Sequence, residues 1–173
     1  MTGAGYRTKQ FFWALFAKKS LMEDERYVVS LRDVDNRLTP AERRLFATMD
    51  SADQRHCLDV FCLLREWGHD DEDLLRAALL HDVGKGLARV RLWHRVAIVL
   101  ANAVHRRIVD RLQSDRPASW RYPFCVHRQH AELGARLAEG AGCRPRVVDL
   151  IRRHDTSSGD ELAEALHRAD RVC

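Results

Sequence analysis

The 173-residue sequence lacks the marks of several large protein classes. No stretch approaches the ~20 apolar residues that a membrane-spanning helix needs. The most apolar run, Phe11-Phe12-Trp13-Ala14-Leu15-Phe16-Ala17, is too short and carries no small-residue cleavage signal. The five cysteines, Cys57, Cys62, Cys125, Cys143 and Cys173, are odd in number and form no C-x-x-C pair. They read as reduced thiols of a cytoplasmic protein, not as a disulfide framework. A glycine-rich phosphate loop is missing, and so is a Ser/His/Asp signature, which argues against a P-loop nucleotidase and a serine hydrolase. No segment alternates with period two between turns, so no strand is expected. Internal repeats and low-complexity tracts are also absent.

What remains is a helical, globular chain. At 20.0 kDa, with 46% apolar and 31% charged residues, it suits one domain with a substantial core. The formal charge is +4, with arginine outnumbering lysine. That excess suits an anionic substrate. Its dispersal along the chain gives no reason to expect specific nucleic-acid binding.

Punctuation divides the chain into helices. Residues 5–20 form a first helix with Lys9, Lys18 and Lys19 at its ends. Its aromatic face is expected to dock on another helix, a membrane surface being the alternative. Residues 1–50 read as an N-terminal helical extension packing on the core, and residues 51–173 as the main domain. Thr39-Pro40-Ala41-Glu42 is a capping box with proline at the first helical position. Ser51 and Gln54 read as a second box opening a helix near 52–67, which Gly68 stops. Asp70 or Asp71 caps a helix over 71–82. A long helix over 88–113, a loop from Ser114 to Pro123, and helices near 126–139 and from Pro145 to His154 complete the middle of the chain. Ser158 and Glu161 read as a box opening the last helix.

The chemistry concentrates in Leu79-Leu80-His81-Asp82-Val83-Gly84-Lys85. An imidazole and a carboxylate, both metal-ligand types, end a helix made of leucine and alanine. Charge in such surroundings is costly unless compensated, and a divalent cation is the obvious compensation. His56 lies about a dozen residues before the turn at Gly68 and His81 about a dozen after it. At ~1.5 Å per residue, an antiparallel hairpin brings the two to the same height. Further along come His130, in His130-Ala131-Glu132-Leu133-Gly134-Ala135, then His154 in Ile151-Arg152-Arg153-His154-Asp155, and Asp170.

The order His56, His81-Asp82, Asp170 resembles the H…HD…D signature of the HD-domain metal-dependent phosphohydrolase superfamily. His130 with Gly134-Ala135 is similar to the HPxxGA segment of its bimetallic members, and His154 to the first histidine of their His-His pair. The resemblance covers residues 52–172. Asp155 replaces the second histidine and no Gly-Tyr-Pro comes after it, which argues against cyclic-di-GMP as substrate. The resemblance implies an all-α HD-domain helical bundle. It implies one or two divalent ions (Mn, Fe, Co, Ni, Zn or Mg) held by His56, His81, Asp82, His130, His154 and Asp170. Asp82, with two oxygens, is the natural bridge between two ions. The expected activity is cleavage of a phosphate ester or anhydride, of a nucleotide above all, by metal-activated water. Lys85 and Arg55 are candidates for binding the substrate phosphate, Lys85 as a point charge beside the reacting group. A non-catalytic module of the same fold, sensing a nucleotide or scaffolding a partner, is the alternative. His69, His94, His105, His127 and His167 match no part of the pattern. Of these, His127 and His167 are the ones expected near the site.

Overall fold

Leucine and alanine crowd residues 74–80, and burial of that segment organises the molecule. The computed structural model describes residues 32–87, 119, 122–156 and 159–173. The expected helices over 5–20 and 88–113, with His94 and His105, lie outside the described residues, as does the side chain of His127. Among the described residues every regular element is helical. Residues 32–37 form α1. The later helices are α2 (Pro40–Phe46), α3 (Ser51–Glu66), α4 (Glu72–Leu80), α5 (Tyr122–Gly140), α6 (Pro145–Arg153) and α7 (Glu161–Val172). A short 3-10 helix, Val83–Leu87, comes directly after α4. No described helix is long and apolar enough to cross a membrane.

Local chemistry sets the boundaries. The Thr39 hydroxyl accepts from the Glu42 amide, and the Glu42 carboxylate accepts from the Thr39 amide, which closes the capping box of α2. Two other boxes are corrected by one or two residues. Asp50, not Ser51, caps α3 and accepts from the Ala52 and Asp53 amides. Gln54 instead donates to the Phe46 and Met49 carbonyls, tying α3 back to the preceding turn. Asp160, not Ser158, caps α7 through the Leu162 and Ala163 amides. Aspartate and serine are comparable N-caps, and an aspartate there also complements the positive end of the helix dipole. Asp71 caps α4. Gly68 adopts φ +84°, a left-handed turn open to glycine, and ends the α3 signal as expected. The helix expected near 126–139 starts earlier, at Tyr122, with Pro123 in its first turn, where its missing N–H costs nothing.

α4 is the central helix. Leu74, Leu75, Ala77, Ala78, Leu79 and Leu80 are all fully buried. It packs against α3 on one side and α6 on the other, while α7 closes over α3, α4 and α6. Each of the four leucines contributes about 1.5–3 kcal/mol of burial. Residues 34–49 join the same core through Val34, Leu38, Phe46 and Met49. Their polar seam is Glu42, buried and paired with Arg76 at 3.4 Å, beside an Arg37–Glu72 ion pair. The rigid α3–α4–α6–α7 arrangement carries most of the histidines and aspartates singled out in the sequence.

Candidate metal centre

Two helices end on a histidine that the fold orients in the same way. His81 caps α4 and His154 caps α6. Each ring meets the carbonyl three residues earlier through Nδ1, Ala78 at 2.8 Å and Ile151 at 2.7 Å. A carbonyl only accepts, so Nδ1 carries a proton and each ring turns Nε2 the other way, toward the site. Both imidazoles are buried.

Six side chains converge there. His56 on α3 and Asp170 on α7 meet at 2.7 Å between Nε2 and Oδ1. His81 Nε2 lies 3.5 Å from the same Asp170 oxygen and 3.7 Å from Asp82 Oδ2. His56 Nε2 is 3.9 Å from Asp82 Oδ2. The other Asp82 oxygen, Oδ1, is 3.5 Å from His130 Nε2, which is 3.1 Å from His154 Nε2. The four rings run in a row of edge-on contacts, His56–His81–His154–His130, with centroids 5.3, 5.0 and 4.9 Å apart. Within two triads, His56–His81–Asp82 and Asp82–His130–His154, the ligand atoms all lie within 4.8 Å of one another. The hairpin arithmetic that places His56 level with His81 matches this geometry.

His130 reaches the site through a glycine contact. A Cβ on Gly84 would stand 2.1 Å from the His130 carbonyl and 2.8 Å from the Gly134 amide. Two glycines therefore let α5 press against the 3-10 helix, and this carries His130 to Asp82.

The electrostatics are those of a crowded, buried charge cluster. Burial works against the Asp82 carboxylate, but Lys85, His81, His56 and His130 outweigh it and hold its pKa well below the ordinary value. Asp170 behaves alike: burial opposes its charge, and the hydrogen bond with His56 and the nearby His81 ring lower its pKa strongly. Burial also opposes the His81 imidazolium, yet Cys57, Asp82 and Asp170 raise its pKa well above normal. His154 goes the other way, lowered by burial and then by the charge of His81. Lys85 donates to Asp82 Oδ2 at 2.5 Å and its pKa is raised, because Asp82 and then Asp53 outweigh the cost of burial.

The remaining candidates occupy varied places. Arg55 bonds Asp59 one turn along α3, at 3.1 Å. His167 donates Nδ1–H to the His154 carbonyl at 2.8 Å and so braces the end of α6. His69 lies in a surface cleft with Glu161, Glu164 and Arg168. Asp155 is exposed. Two neighbours of the site escaped sequence reasoning. The Cys57 sulfur sits 3.7 Å behind His81 Nδ1. Asp53 is a buried carboxylate on α3, three residues before His56. For Asp53 the i, i+3 spacing was a usable signal, since it shares a helix face with His56.

The residues fit a divalent cation. Among the described residues His81 Nε2 and Asp82 Oδ1 are buried with no hydrogen-bond partner, an arrangement costing several kcal/mol without a compensating ligand. The donor separations of 2.7–3.9 Å around the first triad and Asp170 bracket the about 3.4 Å expected of tetrahedral ligands with ~2.1 Å bonds. Imidazole with carboxylate is the chemistry of Mn, Fe, Co, Ni or Zn sites.

The described residues thus form an all-α bundle whose ordered His/His-Asp/Asp cluster has the geometry to hold a metal ion. Residues 54–173 match the HD domain, and the chain belongs to that family. No curated protein and no solved structure matches the chain.

Proposed function

We propose that this protein is a hydrolase that cleaves a phosphate ester or anhydride of a small phosphorylated molecule, a nucleotide being the favoured substrate, with one or two divalent ions. The observation that carries the reading is the pair of buried atoms without a hydrogen-bond partner among the described residues, His81 Nε2 and Asp82 Oδ1, inside a six-residue donor set. His56, His81, Asp82 and Asp170 would hold one ion, and Asp82, His130 and His154 a second. Such an ion supplies a Lewis acid for a phosphoryl oxygen and brings the pKa of water toward ~7.

The chain's own residues perform the rest. Asp82 stays ionised, because four cationic or ionisable neighbours hold its proton off. It presents one oxygen to each triad, Oδ2 toward His56 and His81, Oδ1 toward His130. The helix ends fix His81 and His154 by their Nδ1 bonds, so no rotamer search remains when ligands bind. Lys85 and Arg55 supply positive charge for the phosphate of the substrate. The free thiols suit a cytoplasmic setting.

Elemental analysis of protein purified without added metal, joined to phosphate release from a panel of nucleotides, tests the reading. Cation-dependent release that a chelator abolishes is expected. Lys85→Ala should raise KM more than it lowers kcat, if the ammonium contacts phosphate equally in ground and transition states. Tight nucleotide binding with no turnover under any of Mn, Fe, Co, Ni, Zn or Mg would instead make the protein a sensing module.

A further inference from the structure

The two oxygens of Asp82 are in different situations. Oδ1 has no hydrogen-bond partner among the described residues. Oδ2 is held by the Lys85 ammonium at 2.5 Å. Yet Oδ2 is the oxygen that faces the first triad, 3.7 Å from His81 Nε2 and 3.9 Å from His56 Nε2. An ion held by those two imidazoles and Asp82 has to draw on an oxygen that already carries a positive charge.

We propose that Lys85 is the resident counter-ion of the site: a divalent cation displaces its ammonium from Asp82 Oδ2, and the freed ammonium is thereby delivered to the phosphate of the substrate. The proposal rests on the hydrolase reading above and adds a coupling between cation and substrate. Three features support it. A divalent ion and an ammonium sharing one buried oxygen repel strongly, because little water screens them. Lys85 sits on the short 3-10 helix with a quarter of its side chain exposed, so its flexible stem has a way out. Asp53, a buried carboxylate on the His56 face of α3, adds negative charge that acts on Lys85 next after Asp82, so the ammonium is not bound to Asp82 alone.

The consequence is reciprocal. A phosphate that draws Lys85 away from Asp82 removes a competitor of the cation, and a cation that displaces Lys85 prepares the phosphate site. Linkage requires each ligand to strengthen the other by the same factor. The metal-free site is also kept electrostatically closed, which limits the cost of two buried carboxylates before any ion arrives.

Titration calorimetry with Mn²⁺ on the full chain tests this directly, with no substrate and no turnover involved. Lys85→Met and Lys85→Gln should bind Mn²⁺ about tenfold tighter than wild type or better, since the competing charge is gone. In wild type, modification of the Lys85 amine by acetic anhydride, read by mass spectrometry, should rise several-fold when Mn²⁺ is added. Equal or weaker Mn²⁺ binding by both variants would overturn the proposal and make Lys85 an anchor that orients Asp82. Should the variants fail to fold, labelling of wild type decides alone: modification that is unchanged or reduced by Mn²⁺ overturns it. Absence of Mn²⁺ binding in wild type and variants alike would sink the metal reading itself, an outcome distinct from failure of the coupling.

Discussion

The dipeptide His-Asp ends a helix twice in this molecule, at residues 81–82 and 154–155, and the two ends diverge after one residue. Both histidines donate Nδ1–H to the carbonyl three residues back, and both are buried. Asp82 is then 1% exposed, whereas Asp155 is exposed. The residues immediately after each pair account for the difference. Val83-Gly84 turns inward, Val83 fully buried and Gly84 pressed on His130 and Gly134. Thr156 instead closes a surface turn, its amide and hydroxyl both bonded to the Arg153 carbonyl. A ligand-like dipeptide therefore acquires a site only when the next residues carry the backbone into the core. The histidine is set by its helix end, the aspartate by the turn.

Substitution of the two aspartates should separate the ends most widely. Asp82→Ala removes a donor from both triads, so hydrolysis and cation binding should fall below detection while the helical circular dichroism is kept. Asp155→Ala should leave activity within about twofold, as for other exposed side chains outside a site. An Asp82→Ala protein that hydrolyses nucleotides as wild type does, at matched purity and metal content, would place the activity elsewhere.

The turn itself can be broken next. Gly84→Ala forces a Cβ to within 2.1 Å of a backbone oxygen, so the 3-10 helix and α5 must separate. A loss of about 2–3 kcal/mol, seen as a melting temperature several degrees lower, is expected from such overpacking. Gly140→Ala, with nothing within 4 Å and no positive φ, should change stability by less than about 0.5 kcal/mol. Equal effects at both glycines would remove the close approach from the explanation.

The smallest effect distinguishes the histidines by pH in the metal-free protein. His81 has a raised folded pKa, so its contribution to stability is complete below the unfolded value of ~6.5 and is lost as pH rises through the folded value. His154 has a lowered folded pKa, so its contribution holds above ~6.5 and is lost as pH falls toward the folded value. Thermal unfolding across pH should therefore lose its alkaline slope in His81→Asn and its acidic slope in His154→Asn. Slopes unaltered by either substitution would contradict the assignment.

Much of this was legible in the sequence because helical signals are local. Gly68, the Thr39 capping box and the Leu/Ala run before His81 each mark a boundary or a buried face without tertiary information. The convergence of His56 with His81 comes from rise per residue alone. Capping by Asp50 and Asp160 was harder to see, because serine and aspartate compete at adjacent positions and the winner depends on the incoming backbone. Nor could spacing show that Cys57 backs onto His81, since that contact depends on how α3 packs on α4, whereas Lys85 lies three residues after Asp82 and their pairing is a local, i, i+3 signal. The Gly84–Gly134 contact joins residues 50 positions apart, and only the packed structure reveals it.

Asp82, and not its counterpart Asp155, is on this reading the carboxylate around which cations gather. Anomalous diffraction from crystals soaked in Mn²⁺ tests that claim most directly. The expected result is a peak about 2.2 Å from Asp82 Oδ2, bounded by His56, His81 and Asp170, with any second peak lying between Asp82 Oδ1, His130 and His154. A peak elsewhere on the chain with none beside Asp82, or no peak in crystals of a protein that hydrolyses nucleotides in the same Mn²⁺ solution, would contradict it.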